Sequence, residues 1–434
     1  MKQLKFILFL GLILPAICLF GQEKNTITKD QQKDVINKLS SYLEKTYFFE
    51  DKATEMSTAL KKAKFSRDIE VFSKEVNELL STVANDLHLQ IWYEPSLFQE
   101  LIDPIKFEEA EANNDEYLRG INYGFNEVKV LNGNIGYFKI SECYETEETF
   151  KVAAAAMEFL KHSDAYIIDL RDNPGGSGKI GGFLASYFFE QGDNRVLLFE
   201  YDKKTKELNQ GRVSIYTPGE RRSEKPLYII INKNTGSAAE ALPYAMQAYE
   251  KATVVGKPSA GGAHSGEDEA LAHGFVAFIP TARVLSPVTN DNWEQKGVQP
   301  DINIDPKLAV YKIQSLLIDK WLTNASLSVS KQAYLEWYSK YYKALLNSEK
   351  IIPSTTLTGE YKGYNVSIKD GKLYFGVKEL IPYSDTIYYA KTGYKNSCNG
   401  DLVIEFDNAE QPNKLFYTII KPNGEVKKIQ LNKK

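Results

Sequence analysis

The chain has 434 residues, 43% hydrophobic and 25% charged, which is ordinary globular content and enough for two or three domains. Its 53 Lys and Arg against 57 Asp and Glu leave a net charge of -4 with no basic block suited to phosphate backbones, so nucleic acid is not an expected partner. Three cysteines are too few to establish a disulfide framework.

In chain order, Lys2 and Lys5 precede an apolar run from Phe6 to Phe20 and then polar GQEKNT, which reads as an export signal over residues 1–21. That run of about fifteen residues is shorter than the roughly twenty a membrane span needs, and no later segment is long enough. A mature chain without a membrane span is expected, periplasmic or secreted. Cys18 stands where a lipid-modified cysteine would lie, but in Pro15-Ala16-Ile17 the residue just before it is not a small one, so a lipoprotein is the less favoured reading.

Residues 22–100 are rich in Lys, Glu and Leu at helical spacing and predict an N-terminal helical domain, followed by a linker over 101–127. From Val128 the pattern changes. GNIGYFKI, AYIIDL, RVLLFEY, PLYIII, ATVVG and FVAFIP read as strands, with helices near 147–162, 179–191 and 237–250 between some of them. This alternation predicts an α/β core over 128–305 with a partly parallel sheet. A helical connector over 306–352 and a small antiparallel β domain or barrel over 353–434 complete the chain, the latter with turns at Asp370-Gly371 and Asn423-Gly424.

Chemistry concentrates in the core. In LYIIINKNTGSAAE an apolar run stops at Asn234-Thr235-Gly236 and a helical pattern begins at Ser237. A serine at such a strand-to-helix hinge is exposed to a cleft, beside the free N–H groups of the helix start, which suits an acyl-transfer nucleophile. It equally matches an N-cap, since Glu240 follows three residues later as in a capping box. Upstream, DAYIIDLRDNPGG is a second strand running into a glycine turn, where Gly175 and Gly176 let backbone approach a ligand closely. Asp169 and Arg171 suit fixing that turn, and Glu240 suits capping or packing. Trp293 suits either a wall of the site or ordinary core.

A nucleophilic serine needs a base, and only four histidines are present: His88, His162, His264 and His273. His162 suits a surface helix end; His264 and His273 flank the SGEDEALAHGF loop. No histidine-rich metal-ligand spacing is evident, and no metal or cofactor is expected.

The motifs DLRDNPGG, NTGSAAE, VVGKPSAGGA and GVQPDI, in this order, resemble the C-terminal-processing peptidase superfamily, which includes tail-specific proteases, the tricorn core and interphotoreceptor retinoid-binding protein. The resemblance covers about 125–305, and DLHL extends it back to residue 86. It implies a crotonase-like (ClpP/crotonase) α/β core with an N-terminal helical bundle and serine endopeptidase activity with Ser237 as nucleophile. In the tail-specific branch the base is a lysine, whose place Gly262 takes here. The tricorn-like branch uses a histidine and a glutamate, which correspond to His88 in DLHL and Glu294 in NWEQKGVQPDI. Leu87 and Leu89 replace the usual glycine and threonine. Only about forty residues separate His88 from GNIGYFKI, too few for the PDZ domain of the tail-specific branch.

On this reading His88 takes the Ser237 proton as a peptide carbonyl is attacked, and Glu294 holds the ring's other N–H. The N–H of Ala238 and that of Gly175 or Gly176 form the oxyanion hole. The partner is a peptide or protein substrate; the sequence leaves the oligomeric state open. Retinoid-binding relatives supply the alternative, an exported binding protein for apolar ligands or peptides with a vestigial site. The C-terminal β domain, with Tyr361, Tyr364, Tyr374, Tyr383, Tyr388 and Tyr389, is expected as a structural cap or a recognition module.

Overall fold

The computed structural model describes residues 25–390, 401–420 and 426–434. The expected export signal, Cys18 and Cys398 lie outside them. The chain divides into two compact units, Met1–Lys129 with Gly136–Pro306, and Val130–Ile135 with Lys307–Lys434.

The first unit begins with helices α1 (Lys29–Thr46), α2 (Glu50–Lys62) and α3 (Ile69–Ala84). Thr28 and Gln31 form a capping box at the start of α1, Asp68 caps α3 through the Val71 N–H, and Asn85 ends α3 in the left-handed conformation. Caps contribute about 1 kcal/mol each, whereas each fully buried Leu or Phe contributes about 1.5–3 kcal/mol. Packing therefore decides where these helices sit. Val35, Leu39, Leu43, Met56, Phe72 and Val76 share one core with Phe275, Ala277 and Ile279 of a long strand. The helical segment is thus built onto the α/β part within one unit.

Next come β1 (Gln90–Tyr93), α4 (Pro95–Ile102) and α5 (Pro104–Gly120). Part of the expected linker is therefore helical, opened by Asp103 as N-cap and Pro104 at the first position. The remaining elements of the unit are β2 (Phe125–Leu131), β3 (Ile135–Ile140), α6 (Glu147–Phe159), β4 (Ala165–Asp169), α7 (Lys179–Ser186), β5 (Val196–Asp202), β6 (Leu208–Arg212), β7 (Leu227–Ile231), α8 (Ala238–Ala248), β8 (Thr253–Gly256), β9 (Ser265–Ala270), β10 (Phe275–Leu285) and β11 (Ile302–Asn303).

One sheet runs β11-β8-β7-β4-β3-β2, with β4, β7, β8 and β11 parallel. This is a mixed α/β architecture, and buried β4 and β7 read as continuous apolar runs because both faces are covered. Tyr166, Ile168, Ile229 and Ile231 pack with Met157 of α6, Leu184 of α7 and Met246 of α8. A second, antiparallel sheet runs β1-β10-β5-β6, with β9 also paired to β10.

The second unit holds helices α9 (Ala309–Leu322) and α10 (Val329–Asn347) and eight strands, β12 (Gly359–Tyr361), β13 (Tyr364–Lys369), β14 (Lys372–Phe375), β15 (Lys378–Pro382), β16 (Ile387–Ala390), β17 (Asp401–Phe406), β18 (Lys414–Ile420) and β19 (Val426–Asn432). The strands pair in sequence order, all antiparallel, and a Tyr361–Lys433 bridge joins the two ends into a barrel. Tyr361, Leu373, Tyr388, Ile404 and Leu415 fill its interior. Of the six tyrosines noted in this domain, Tyr361, Tyr388 and Tyr389 are core, whereas Tyr364 and Tyr383 are exposed. No helix among the described residues is long and apolar enough to cross a membrane.

Candidate active site

β7 ends at Ile231, the chain turns through Asn232–Gly236, and Ser237 opens α8 with φ 51° and ψ -126°. A non-glycine residue in that region costs of order 1–3 kcal/mol and persists only where its surroundings hold it. Three hydrogen bonds do so. The Ser237 N–H donates to Glu240 Oε2 (2.8 Å), the Glu240 N–H to the Ser237 carbonyl (2.8 Å), and the Gly236 N–H to the Asn173 carbonyl (2.9 Å). The capping-box carboxylate read from the sequence is thus present, but it serves a strained hinge.

The DNPGG turn lies directly against this hinge. A Cβ on Gly175 would sit 2.7 Å from Ser237 Cβ and 3.1 Å from the Ala238 nitrogen, and one on Gly176 would sit 2.0 Å from the Cys143 carbonyl oxygen. Both glycines have φ near 120°, so only glycine fits on conformation and on space. Asn173 joins the two turns: its carbonyl holds Gly236, and its Oδ1 accepts the Gly175 N–H at 2.9 Å. The Gly175 N–H is therefore occupied. Those of Gly176 and Ala238 donate to no protein group among the described residues. Behind the turn, buried Asp169 accepts from the Tyr137 hydroxyl (2.7 Å), the Arg171 backbone N–H (3.0 Å) and the Arg171 guanidinium.

Glu240 is fully buried and far more connected than a cap requires. Oε1 accepts from the Ser259 hydroxyl (2.5 Å) and the Gly261 N–H (2.7 Å), and Oε2 from the N–H groups of Ser237 (2.8 Å) and Gly262 (2.9 Å). One carboxylate oxygen thus ties the hinge to the Gly261-Gly262 loop. Burial pushes its pKa up to about 7, against the opposing pull of these four donors.

His88 follows α3 and the Asn85 cap, with its backbone N–H bonded to Asp86 Oδ1 at 3.1 Å. Its ring rests on Gly262: a Cβ there would lie 2.5 Å from Cε1 and 3.0 Å from Nε2. On another side lies the Phe278 ring, centroids 5.6 Å apart. Trp293, buried, donates its indole N–H to the Gly262 carbonyl at 2.8 Å, so it is core that also braces the loop. Burial lowers the His88 pKa below the ordinary histidine value; the Asp86 charge opposes that shift and His264 reinforces it.

Glu294 follows Trp293, and its Oε2 accepts the Ala263 N–H (2.6 Å) and the His264 N–H (3.3 Å). Its other oxygen, Oε1, is buried without a hydrogen-bond partner among the described residues, and so is Nδ1 of His88. His264, read from the sequence as a loop residue, is buried, with Nδ1 2.9 Å from Asp86 Oδ2 and 3.7 Å from Glu294 Oε2. The Tyr47 hydroxyl also donates to Asp86 (3.2 Å). The polar atoms of Asp86, His264 and Glu294 lie within 4.8 Å of one another, a spacing that either a cation or a proton satisfies. The short Nδ1 contact to Asp86 is a hydrogen bond, and we read the set as an ion triad. Of the other histidines, His162 is exposed beyond α6, and His273 contacts Asp34 at 2.9 Å.

Residues 134–304 match the model of peptidase family S41. A carboxyl-terminal-processing protease of Synechocystis is 27% identical over 178 residues, 40% of this chain and 39% of that protein. The carboxy-terminal processing protease CtpA of Bacillus subtilis is 27% identical over 184 residues, 42% of this chain and 37% of that one. The chain thus spans about two fifths of the length of these curated relatives. Among solved structures, the photosystem II D1 C-terminal processing protease aligns with a TM-score of 0.43 at 14% identity, over 65% of this chain and 95% of that one.

Proposed function

We propose that this chain, which belongs to peptidase family S41 through residues 134–304, is an exported serine endopeptidase on a crotonase-like core, with Ser237 as nucleophile, His88 as general base and Glu294 as the acid that orients it. The observation that carries the reading is the shared Glu240 oxygen: the backbone of Ser237 and that of Gly262, on which the His88 ring rests, are bound to one atom. Nucleophile and base are thereby held by one buried group.

In the reaction, neutral His88 removes the Ser237 hydroxyl proton as the oxygen adds to the peptide carbonyl, and the ring returns that proton to the leaving amine. Water then repeats the sequence to release the acyl group. Negative charge developing on the carbonyl oxygen is met by the N–H groups of Ala238 and Gly176, which have no protein acceptor, rather than by that of Gly175, which is committed to Asn173. Each such donor is worth about 3 kcal/mol in the transition state. Nδ1 of His88 and Oε1 of Glu294 are a buried donor and acceptor, each without a partner among the described residues. Their union when substrate closes the cleft satisfies both and stabilises the imidazolium. Export rests on the lysine-flanked apolar segment at residues 1–21.

The test compares new N-termini generated in a protein mixture by the mature chain and by Ser237→Ala. New termini from the former alone are expected. Identical sets from both would remove the proteolytic reading.

A further inference from the structure

Asp86, His264 and Glu294 form a buried set that the serine, base and acid roles do not fully use. Glu294 is given one task, yet Oε2 is occupied by the N–H groups of Ala263 and His264, and its charge faces a second buried carboxylate in Asp86. Two carboxylates side by side in a dry interior repel, and a buried charge left unpaired is strongly unfavourable. What lies between them is the His264 ring, 2.9 Å from Asp86 and 3.7 Å from Glu294.

Asp86 in turn touches the base. Its Oδ1 accepts the His88 backbone N–H, and its Oδ2 takes the Tyr47 hydroxyl as well as His264. The Asp86 side chain therefore fixes the segment that carries His88, while Glu294, from the segment after β10, holds the Ala263 and His264 backbone through their N–H groups. One imidazole spans the two.

Resting on the serine-peptidase reading above, we propose that His264 is a positioning residue for the His88 base: by bridging Asp86 and Glu294 it holds the carboxylate that anchors the His88 backbone in register with the carboxylate that serves the His88 ring.

The surroundings of His264 favour its charged, bridging form. Burial alone opposes the charge, but the hydrogen bond and charge of Asp86 and the charge of Glu294 raise its pKa above the ordinary histidine value, with Arg283 of β10 opposing them. The other groups that face it are the Phe49 ring from the loop between α1 and α2, centroids 5.5 Å apart, and His88, whose own pKa burial lowers. A raised histidine pKa means that the bridge is complete below the ordinary value and is lost as pH rises through the folded one. Neutral His264 can still donate one proton to one acid, but it no longer offsets both.

The experiment measures kcat and KM on a peptide substrate, the rate of fluorophosphonate labelling of Ser237, and Tm, for the mature chain and for His264→Ala and His264→Asn, between about pH 5 and 9. His264→Asn keeps an N–H donor near the Nδ1 position and guards against a variant that merely fails to fold. Expected are an alkaline decline of kcat in the mature chain, a roughly 10- to 100-fold loss of kcat in His264→Ala with KM within about twofold, partial rescue in His264→Asn, and absence of the alkaline decline from both variants. Variants that keep the kcat and the alkaline decline of the mature chain would overturn the proposal, as would a loss that follows Tm alone. Absence of labelling in the mature chain itself would fail the peptidase reading instead, so the two outcomes are separable.

Discussion

The imidazole of His88 occupies the space where a side chain on Gly262 would begin, 2.5 Å from where that Cβ would lie. By the sequence resemblance, this is the position at which the tail-specific branch of the superfamily has its lysine base. Here the backbone is bare and a histidine from a remote loop fills the gap, so the glycine is a requirement of the histidine.

Gly262→Ala should therefore disable the base without touching the nucleophile. Phe278 lies behind the ring, so His88 has to leave its place, and overpacking of this kind costs about 1–3 kcal/mol. We expect kcat/KM to fall at least about tenfold. A Gly182→Ala control, where a Cβ would meet nothing closer than 3.8 Å, should change it little. Equal activity of both variants would show that His88 does not need its seat on Gly262.

Glu240→Gln replaces two acceptor oxygens that serve four donors with one acceptor and an amide that faces donors. Each stranded donor costs about 1–3 kcal/mol, and both the Ser237 hinge and the Gly262 loop loosen together. Loss of peptide hydrolysis is expected although Glu240 touches no reacting atom. The pH dependence of stability has a definite sign. A carboxyl whose pKa rises on folding, here to about 7, contributes stability that is present at low pH and lost as pH rises through that value. Between about pH 5 and 8, Tm of Glu240→Gln should vary less than that of the parent chain, measured by calorimetry.

Trp293→Phe keeps most of the buried ring but removes the N–H that holds the Gly262 carbonyl. The lost hydrogen bond is worth about 1 kcal/mol net, more if the carbonyl stays buried and unpaired. The expected result is a Tm lowered by a few degrees, with kcat affected more than KM, because the loop seats the ring of the proposed base rather than the substrate.

The two site histidines should titrate in opposite directions. Burial depresses His88, so its neutral form persists below the ordinary value of about 6.5, and protonating it as pH falls through its folded pKa costs stability. His264, held between two acids, titrates above that value, and its contribution is lost as pH rises. Ring resonances followed by NMR, assigned with His88→Gln and His264→Asn, should show that order; the reverse order would contradict the electrostatics described here.

Much of this site was legible in the chain, because its features are local. The buried runs of β4 and β7, the glycine turns after them and the helix start at Ser237 are written in consecutive residues. What was not legible depends on partners far away in sequence. β9, with the sequence SGEDEA, has no apolar alternation and is a strand only because β10 pairs with it, whereas β1, QIWY, is apolar but only four residues long and also pairs with β10. His264 looked like a loop residue since nothing near it predicts burial, and its acid, Asp86, lies 178 positions upstream. The choice between Gly175 and Gly176 as oxyanion donor turns on where the Asn173 side chain points, which no spacing reveals. The helical segment and the α/β core share side chains across β10, so periodicity divided what packing joins.

The most direct test of the account is covalent labelling of Ser237 by a fluorophosphonate, compared between the mature chain and folded His88→Ala. The mature chain should be labelled at Ser237, and His88→Ala at least about a hundredfold more slowly, since the hydroxyl has lost its proposed base. Labelling of His88→Ala at the parent rate, or a folded mature chain that is not labelled at all, would contradict it.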